Sequence, residues 1–147
     1  MATGNGNAKW TGDLRTGSGE LTVGEGAWTS AYSGRSRFAG VLPGFEDSEG
    51  TNPEELLAAA HAACFSMALS AGLAREETPA DELRTSATVT FQPGEGITRI
   101  ALTVEGRVPG IDGVAFEEAA LGAKENCPVS KALAGVPEIT LDAQLLT

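Results

Sequence analysis

One stretch limits what this chain can fold into more than any other: TNPEELLAAAHAACFSMALSAGLA, residues 51–74. It opens with a helix start signal. Asn52 can cap, Pro53 suits the first helical position, and Glu55 stands three residues after Asn52, as in a capping box. Glu54 and Glu55 place negative charge on the positive end of the helix dipole. From Leu56 to Ala71 no glycine, proline or charge interrupts a run of helix-favouring alanine, leucine and methionine. Gly72 and the charged residues 75–77 mark its end. The run approaches the length of a membrane span, about 20 apolar residues. However, it carries His61, Ser66 and Ser70 among many alanines, and no second such segment exists. It reads instead as a buried central helix, with small side chains that let neighbouring backbones approach.

A chain of 147 residues fits one domain over 1–147, long enough to enclose a core. Its net charge of −10 argues against nucleic acid and anionic membranes as partners, because phosphates would be repelled. The first residues, MATGNGNAKW, show neither the basic nor the apolar region of a secretion signal, so the chain reads as cytoplasmic. In that compartment a structural disulfide is unusual. The two cysteines, Cys64 and Cys127, are therefore either inert core thiols or redox groups. Two cysteines and one histidine at no zinc-like spacing do not make a metal site.

Residues 1–8 read as a disordered polar tail. Residues 9–14 and 20–23 form a first hairpin across a Gly/Ser turn, and Trp10 and Trp28 read as core or interface anchors. Residues 37–39 are a candidate short strand in a loop-rich segment. Beyond the long helix, Leu83, Thr85, Ala87, Val89 and Phe91 share one strand face, and Ile100, Leu102 and Val104 share the next. QPGEG at 92–96 is the turn between them. Asp112 caps a second helix through Lys124, with Phe116, Ala119, Ala120 and Ala123 at helical spacing. A short third helix follows, with Cys127 at its N-cap and Pro128 at its first position. Residues 138–145 alternate as a last strand. The order predicts an α+β domain, an antiparallel sheet packed on a long buried central helix.

Chemistry concentrates on the sulfurs. Cys64 lies mid-helix, so a nearby cation would be needed to lower its pKa from the ordinary value of about 8.5. Cys127, at a helix start, has backbone N–H groups beside it. His61 stands one turn before Cys64; it is either the base of a Cys–His pair or a satisfied core histidine. No GxSxG motif supports hydrolase chemistry.

GTNPEELLAAAHAACFSMALS, followed by ENCPVSKAL, resembles the OsmC/Ohr family of thiol-dependent hydroperoxide reductases, closer to the OsmC branch. AKWTGDL, SRF, VPGID and EITLDAQL extend the resemblance over nearly the whole chain. It implies an OsmC-like fold in an intertwined homodimer. It also implies a cysteine-based peroxidase of organic hydroperoxides, and of hydrogen peroxide in some members, without metal, haem or flavin. Matched residue by residue, the motif makes Cys64 the peroxidatic and Cys127 the resolving cysteine, joined as a disulfide in the oxidised state. It makes Arg37 the arginine that favours the thiolate, and Glu54 the carboxylate that holds it. Arg15 and Arg35 compete for the cation's role. An external dithiol, a dihydrolipoyl group in many members, would reduce the disulfide.

Glu54 and Cys64 are ten residues apart, about 15 Å along one helix and roughly 80° apart around it. The spacing predicts that the Arg37–Glu54 pair serves the Cys64 of the other subunit. A different class of function, a redox-sensing or ligand-binding module with a reversible disulfide, would oxidise once without turnover. A structural dimer with inert thiols would barely react.

Overall fold

The structure is a computed structural model and describes residues 1–147. Three antiparallel strands in the order β1-β2-β3 begin it: β1 (Gly6–Thr11), β2 (Ser18–Val23) and β3 (Trp28–Tyr32). The expected tail is therefore shorter than residues 1–8. Gly6, Asn7 and Ala8 pair with Val23, Thr22 and Leu21, because backbone pairing on β2 does not need the side-chain pattern that a sequence reading relies on.

Residues 37–39 are not a strand. They fall in and just after a short helix, α1 (Gly34–Phe38). Ser33 and Ser36 close a reciprocal capping box, each backbone N–H donating to the other's hydroxyl at 2.9 Å. That pair satisfies two donors at the helix start and settles the local choice in favour of helix. The Ser36 hydroxyl also donates to Thr51 O at 2.8 Å, and Asn52 Nδ2 donates to Ser36 O at 3.2 Å. These bonds fasten α1 to the start of the long helix, α2 (Pro53–Arg75). Asn52 Oδ1 caps α2 by accepting from Glu55 N at 2.9 Å. The Glu55 carboxylate accepts from the Thr51 hydroxyl at 2.8 Å, so the box is half formed.

By compactness the chain divides into two units, Met1–Leu56 and Leu57–Thr147. The second unit holds most of α2 with β4 (Glu82–Gln92), β5 (Gly96–Arg107), α3 (Gly113–Asn126), α4 (Pro128–Ala132) and β6 (Glu138–Leu145). Its sheet has the order β4-β5-β6. The β4–β5 hairpin is antiparallel, but β6 runs parallel to β5, from Arg99↔Glu138 to Gly106↔Leu145. The sheet is thus mixed, not antiparallel. Two helices intervene between β5 and β6, and such a crossover lets the chain return in the same direction.

The expected strand faces hold: Ile100, Leu102 and Val104 are buried, and Leu83 through Phe91 alternate between half-buried and exposed. Phe65, Leu69 and Leu73 of α2 meet Leu102 and Val104 of β5 and Phe116, Ala120 and Ala123 of α3 in one core, which includes Cys127. The helix is not buried on all sides in this chain. Ala59, Ala60, Ala63, Met67, Ala71 and Ala74 form an exposed stripe opposite the core, with Met67 74% exposed. By length and composition alone α2 could cross a membrane. Its inner stripe is instead the backbone of the second unit's core.

Gly106 shows how tightly α3 lies on β5. A Cβ there would meet the Phe116 ring and sit 3.1 Å from Leu83 Cδ2. Gly106→Ala is expected to cost about 1–3 kcal/mol through overpacking. The check is a lower urea midpoint with an unchanged slope.

Candidate active site

The first unit assembles an arginine–carboxylate pair. Arg37 comes from α1 and Glu54 from the first turn of α2, and the Ser36–Thr51 and Asn52–Ser36 bonds hold those segments together. Arg37 Nε donates to both Glu54 oxygens at 3.1 Å, and Nη2 donates to Oε1 at 2.6 Å. A forked, charge-assisted pair of this kind fixes the direction of the guanidinium as well as its charge. The Glu54 side chain is 11% exposed and that of Arg37 is 33% exposed, so the pair is largely withdrawn from solvent. Its guanidinium carbon lies 5.1 Å from the Phe38 ring centre. Beside it a cavity of about 210 Å³ is bordered by Trp10, Leu14, Tyr32 and Pro53.

The two competing arginines are placed elsewhere. Arg15 reaches Pro43 O at 3.4 Å and lies 5.8 Å from the Phe45 ring. Arg35 is exposed on α1. Of the three, Arg37 is the one that grips Glu54.

The second unit assembles the sulfurs. Cys64 is half-buried on α2, and Cys127 is fully buried between α3 and α4, where it is at once the C-cap of one helix and the N-cap of the next. Both are free thiols, and their side chains interact directly. Burial pushes the Cys64 thiol up; the Cys127 sulfur adds to that rise, and the Val129 N–H opposes it. Burial would raise Cys127 too. There, however, the neighbouring Cys64 thiol and the polar groups of Ser130 and Val129 outweigh it and hold the thiol below its ordinary value. Within this unit Cys127 is the sulfur better furnished to carry the negative charge.

His61 is a core histidine with one partner. It is fully buried, and Nε2 lies 2.7 Å from Ser130 Oγ. Its Nδ1 is buried without a hydrogen bond. His61 does not stand against the Cys64 sulfur as the base of a Cys–His pair; its bond goes to α4. Ser130 was not singled out in the sequence. The available signal was its position three residues after Cys127, the spacing of a capping box, with cysteine in the cap position.

Burial lowers the His61 pKa. The unfolded chain therefore binds a proton, near pH 6.5 and below, that the folded one refuses, and stability falls as pH drops through that window. His61→Gln removes this titration. Melting temperature followed from pH 7.5 to 5 is expected to decline less in the variant than in wild type.

Comparisons with known proteins bear on the family and the fold. A family model described as "OsmC-like protein" matches residues 45–142. Peroxiredoxin OsmC of Escherichia coli is 43% identical over 144 residues, which span 95% of this chain and 94% of that protein. The organic hydroperoxide resistance protein of Xanthomonas axonopodis pv. citri is 36% identical over 99 residues, 63% of this chain and 66% of that one. Among solved structures, an organic hydroperoxide resistance protein from Elizabethkingia anophelis superposes with a TM-score of 0.73 at 23% identity, covering 99% of this chain and 98% of that one. That likeness bears on the fold.

Proposed function

The chain belongs to the OsmC family, and we propose that it works as a cysteine-based peroxidase of organic hydroperoxides through Cys64 and Cys127. The observation that carries the reading is the meeting of these two thiols, far apart in sequence, at one core, Cys127 fully buried within it and Cys64 half-buried against it. The Cys64 thiolate attacks the outer peroxide oxygen, the O–O bond breaks, and the alcohol leaves after taking a proton. Cys64 is then a sulfenic acid. The Cys127 thiolate attacks the Cys64 sulfur, an S–S bond replaces the S–O bond, and the released oxygen departs as water. An external dithiol of the dihydrolipoyl type reduces the disulfide and returns both thiols.

Cys64 needs help to ionise, since its own surroundings raise its pKa. Arg37, held by Glu54, supplies the cation, orients the peroxide and neutralises the developing charge. The apolar border of the neighbouring cavity, with Trp10 and Leu14, suits the carbon chain of an alkyl hydroperoxide. The chain acts as one functional domain in the cytoplasm and as an intertwined homodimer, each subunit's Arg37 and Glu54 completing the other's Cys64 site. Supporting the dimer are the uncovered alanine and Met67 stripe of α2 and the exposed rings of Trp10 and Trp28, at 36% and 44%. Full activity in a species that sediments as a monomer would overturn it.

The direct test is intact mass after one equivalent of cumene hydroperoxide. Wild type is expected to lose two hydrogens, and Cys127→Ser to gain one oxygen. With a dithiol present, wild type consumes peroxide continuously; a single stoichiometric oxidation would instead make the protein a redox sensor. If native protein stays unmodified while denatured protein reacts, the thiols are structural.

A further inference from the structure

The two thiols of the proposed cycle are not equally open. Cys127 is 0% exposed and belongs to the core cluster with Phe65, Leu102, Phe116 and Ala123. Cys64 is half-buried and packs against that cluster from its border. Cys127 is also held by its backbone. Its N–H donates to Ala123 O at 2.8 Å, and its carbonyl accepts from Lys131 N at 3.1 Å, so one residue ends α3 and begins α4. Rotating the side chain alone leaves the residue enclosed. Carrying it outward would open both helix ends, and a disulfide to Cys64 adds a further tether.

A disulfide is reduced by a thiolate that attacks one of its sulfurs and expels the other. The attacker must approach the sulfur it strikes from behind, in line with the bond that breaks. Around Cys127 no such line reaches solvent, whichever way the bond points, because none of the residue's surface is exposed. Cys64 keeps an open side, and the peroxidase reading needs that side, since the hydroperoxide meets the sulfur there. Leaving-group chemistry favours the same direction. Burial raises the Cys64 thiol, whereas at Cys127 the upward pull of burial is outweighed by polar neighbours. The more acidic thiol of a disulfide is the faster to leave.

We propose that the reducing dithiol attacks the Cys64 sulfur and not that of Cys127, so that Cys64 carries the mixed disulfide and Cys127 departs as the thiolate. The inference rests on the peroxidase reading above and adds to it the sulfur on which the reductant acts. One reductant thiolate forms an S–S bond with Cys64, the Cys64–Cys127 bond breaks, and its electron pair leaves on Cys127, which takes a proton. The reductant's second thiolate then attacks its own sulfur bonded to Cys64, closes a cyclic disulfide and expels Cys64 as a thiolate. The dithiol loses two electrons and the protein's disulfide gains them. Peroxide and reductant use one opening in turn, and neither enters the core.

The test has two readouts. In the reverse direction, the cysteine that bonds to the reductant is the one that reacts with a small disulfide probe. Native Cys127→Ser, which keeps Cys64, and native Cys64→Ser, which keeps Cys127, are each mixed with 4,4′-dithiodipyridine and the released thiopyridone is followed. Cys64 is expected to react about 10²-fold faster than Cys127, and the two rates to converge in denaturant. Rates within tenfold of each other in the native proteins overturn the inference. The second readout uses wild type oxidised to the disulfide, mixed with excess 2-mercaptoethanol, quenched in acid at early times and digested with pepsin. The first adducts are expected on the Cys64 peptide, in excess of those on the Cys127 peptide by about tenfold or more. Adducts that appear first on Cys127 overturn it. The disulfide is made with cumene hydroperoxide and, separately, with diamide. If peroxide leaves the thiols unmodified, the peroxidase reading fails, while the diamide-made disulfide still decides which sulfur is attacked. A protein that neither oxidant closes into a disulfide overturns both.

Discussion

Cys64→Ser is expected to abolish peroxide turnover, lowering the rate on the order of 10³-fold or more, as loss of a covalent nucleophile does elsewhere. A serine oxygen at this position has no comparable acidity, and no imidazole is directed at it: His61 is turned toward Ser130. Sulfur alone can also store the transferred oxygen as a sulfenic acid for the second cysteine to displace. The fold should tolerate the exchange. Position 64 is half-buried and borders the core as a partly buried neighbour, and serine differs from cysteine by one atom. Cys127→Ser is expected to behave differently, taking one oxygen and then stalling. Steady-state peroxide consumption with a dithiol, read beside the melting temperature, separates the cases. Turnover by a folded Cys64→Ser protein within tenfold of wild type would exclude Cys64 as the attacking group.

Much of this architecture was legible because local signals and burial agreed. Asn52, Pro53 and the following acids mark the start of α2, Asp112 that of α3 and Pro128 that of α4, and the structure places helices there. The alternation from Leu83 to Val104 describes the β4–β5 hairpin because one face packs on the core. Misreadings arose where tertiary partners decide. Arg37 lies in helix because Ser33 and Ser36 cap each other, a serine pair that also suits a loop. The direction of β6 depends on where α3 and α4 return the chain, and its own alternation reads the same either way. The long apolar run of α2 could not reveal which stripe this chain buries. At the site, motif resemblance singled out Cys64, Cys127, Arg37 and Glu54, whereas Ser130 passed as one more polar residue in a short helix. Its bond to His61 joins residues 69 apart in the chain, and no periodicity reports such a contact.

Arg37→Met should separate charge from sulfur. The variant keeps both cysteines but loses the cation gripped by Glu54, and the rate of Cys64 oxidation is expected to fall about 10²–10³-fold, comparable to the loss of one preorganised charge-stabilising donor. Part of that loss comes from a smaller thiolate fraction, because Cys64 is pushed up by its own surroundings. Raising the pH should therefore recover more rate in the variant than in wild type. The part due to peroxide orientation should not recover. Glu54→Gln is expected to cost less, since it loosens Arg37 without removing it. Mixing unfolded Arg37→Met and Cys64→Ser chains and refolding them tests where the pair acts. Random pairing makes half of the dimers hybrid. If Arg37 serves the other subunit, each hybrid holds one intact site, giving about a quarter of wild-type activity from two inactive parents. If Arg37 serves its own subunit, every hybrid site lacks either the sulfur or the cation, and the mixture stays as inactive as its parents. Activity in the mixture would place the Arg37–Glu54 pair across the dimer. Its absence, with hybrid dimers verified by mass, would confine the pair to its own chain and leave Arg37's part in ionising Cys64 intact.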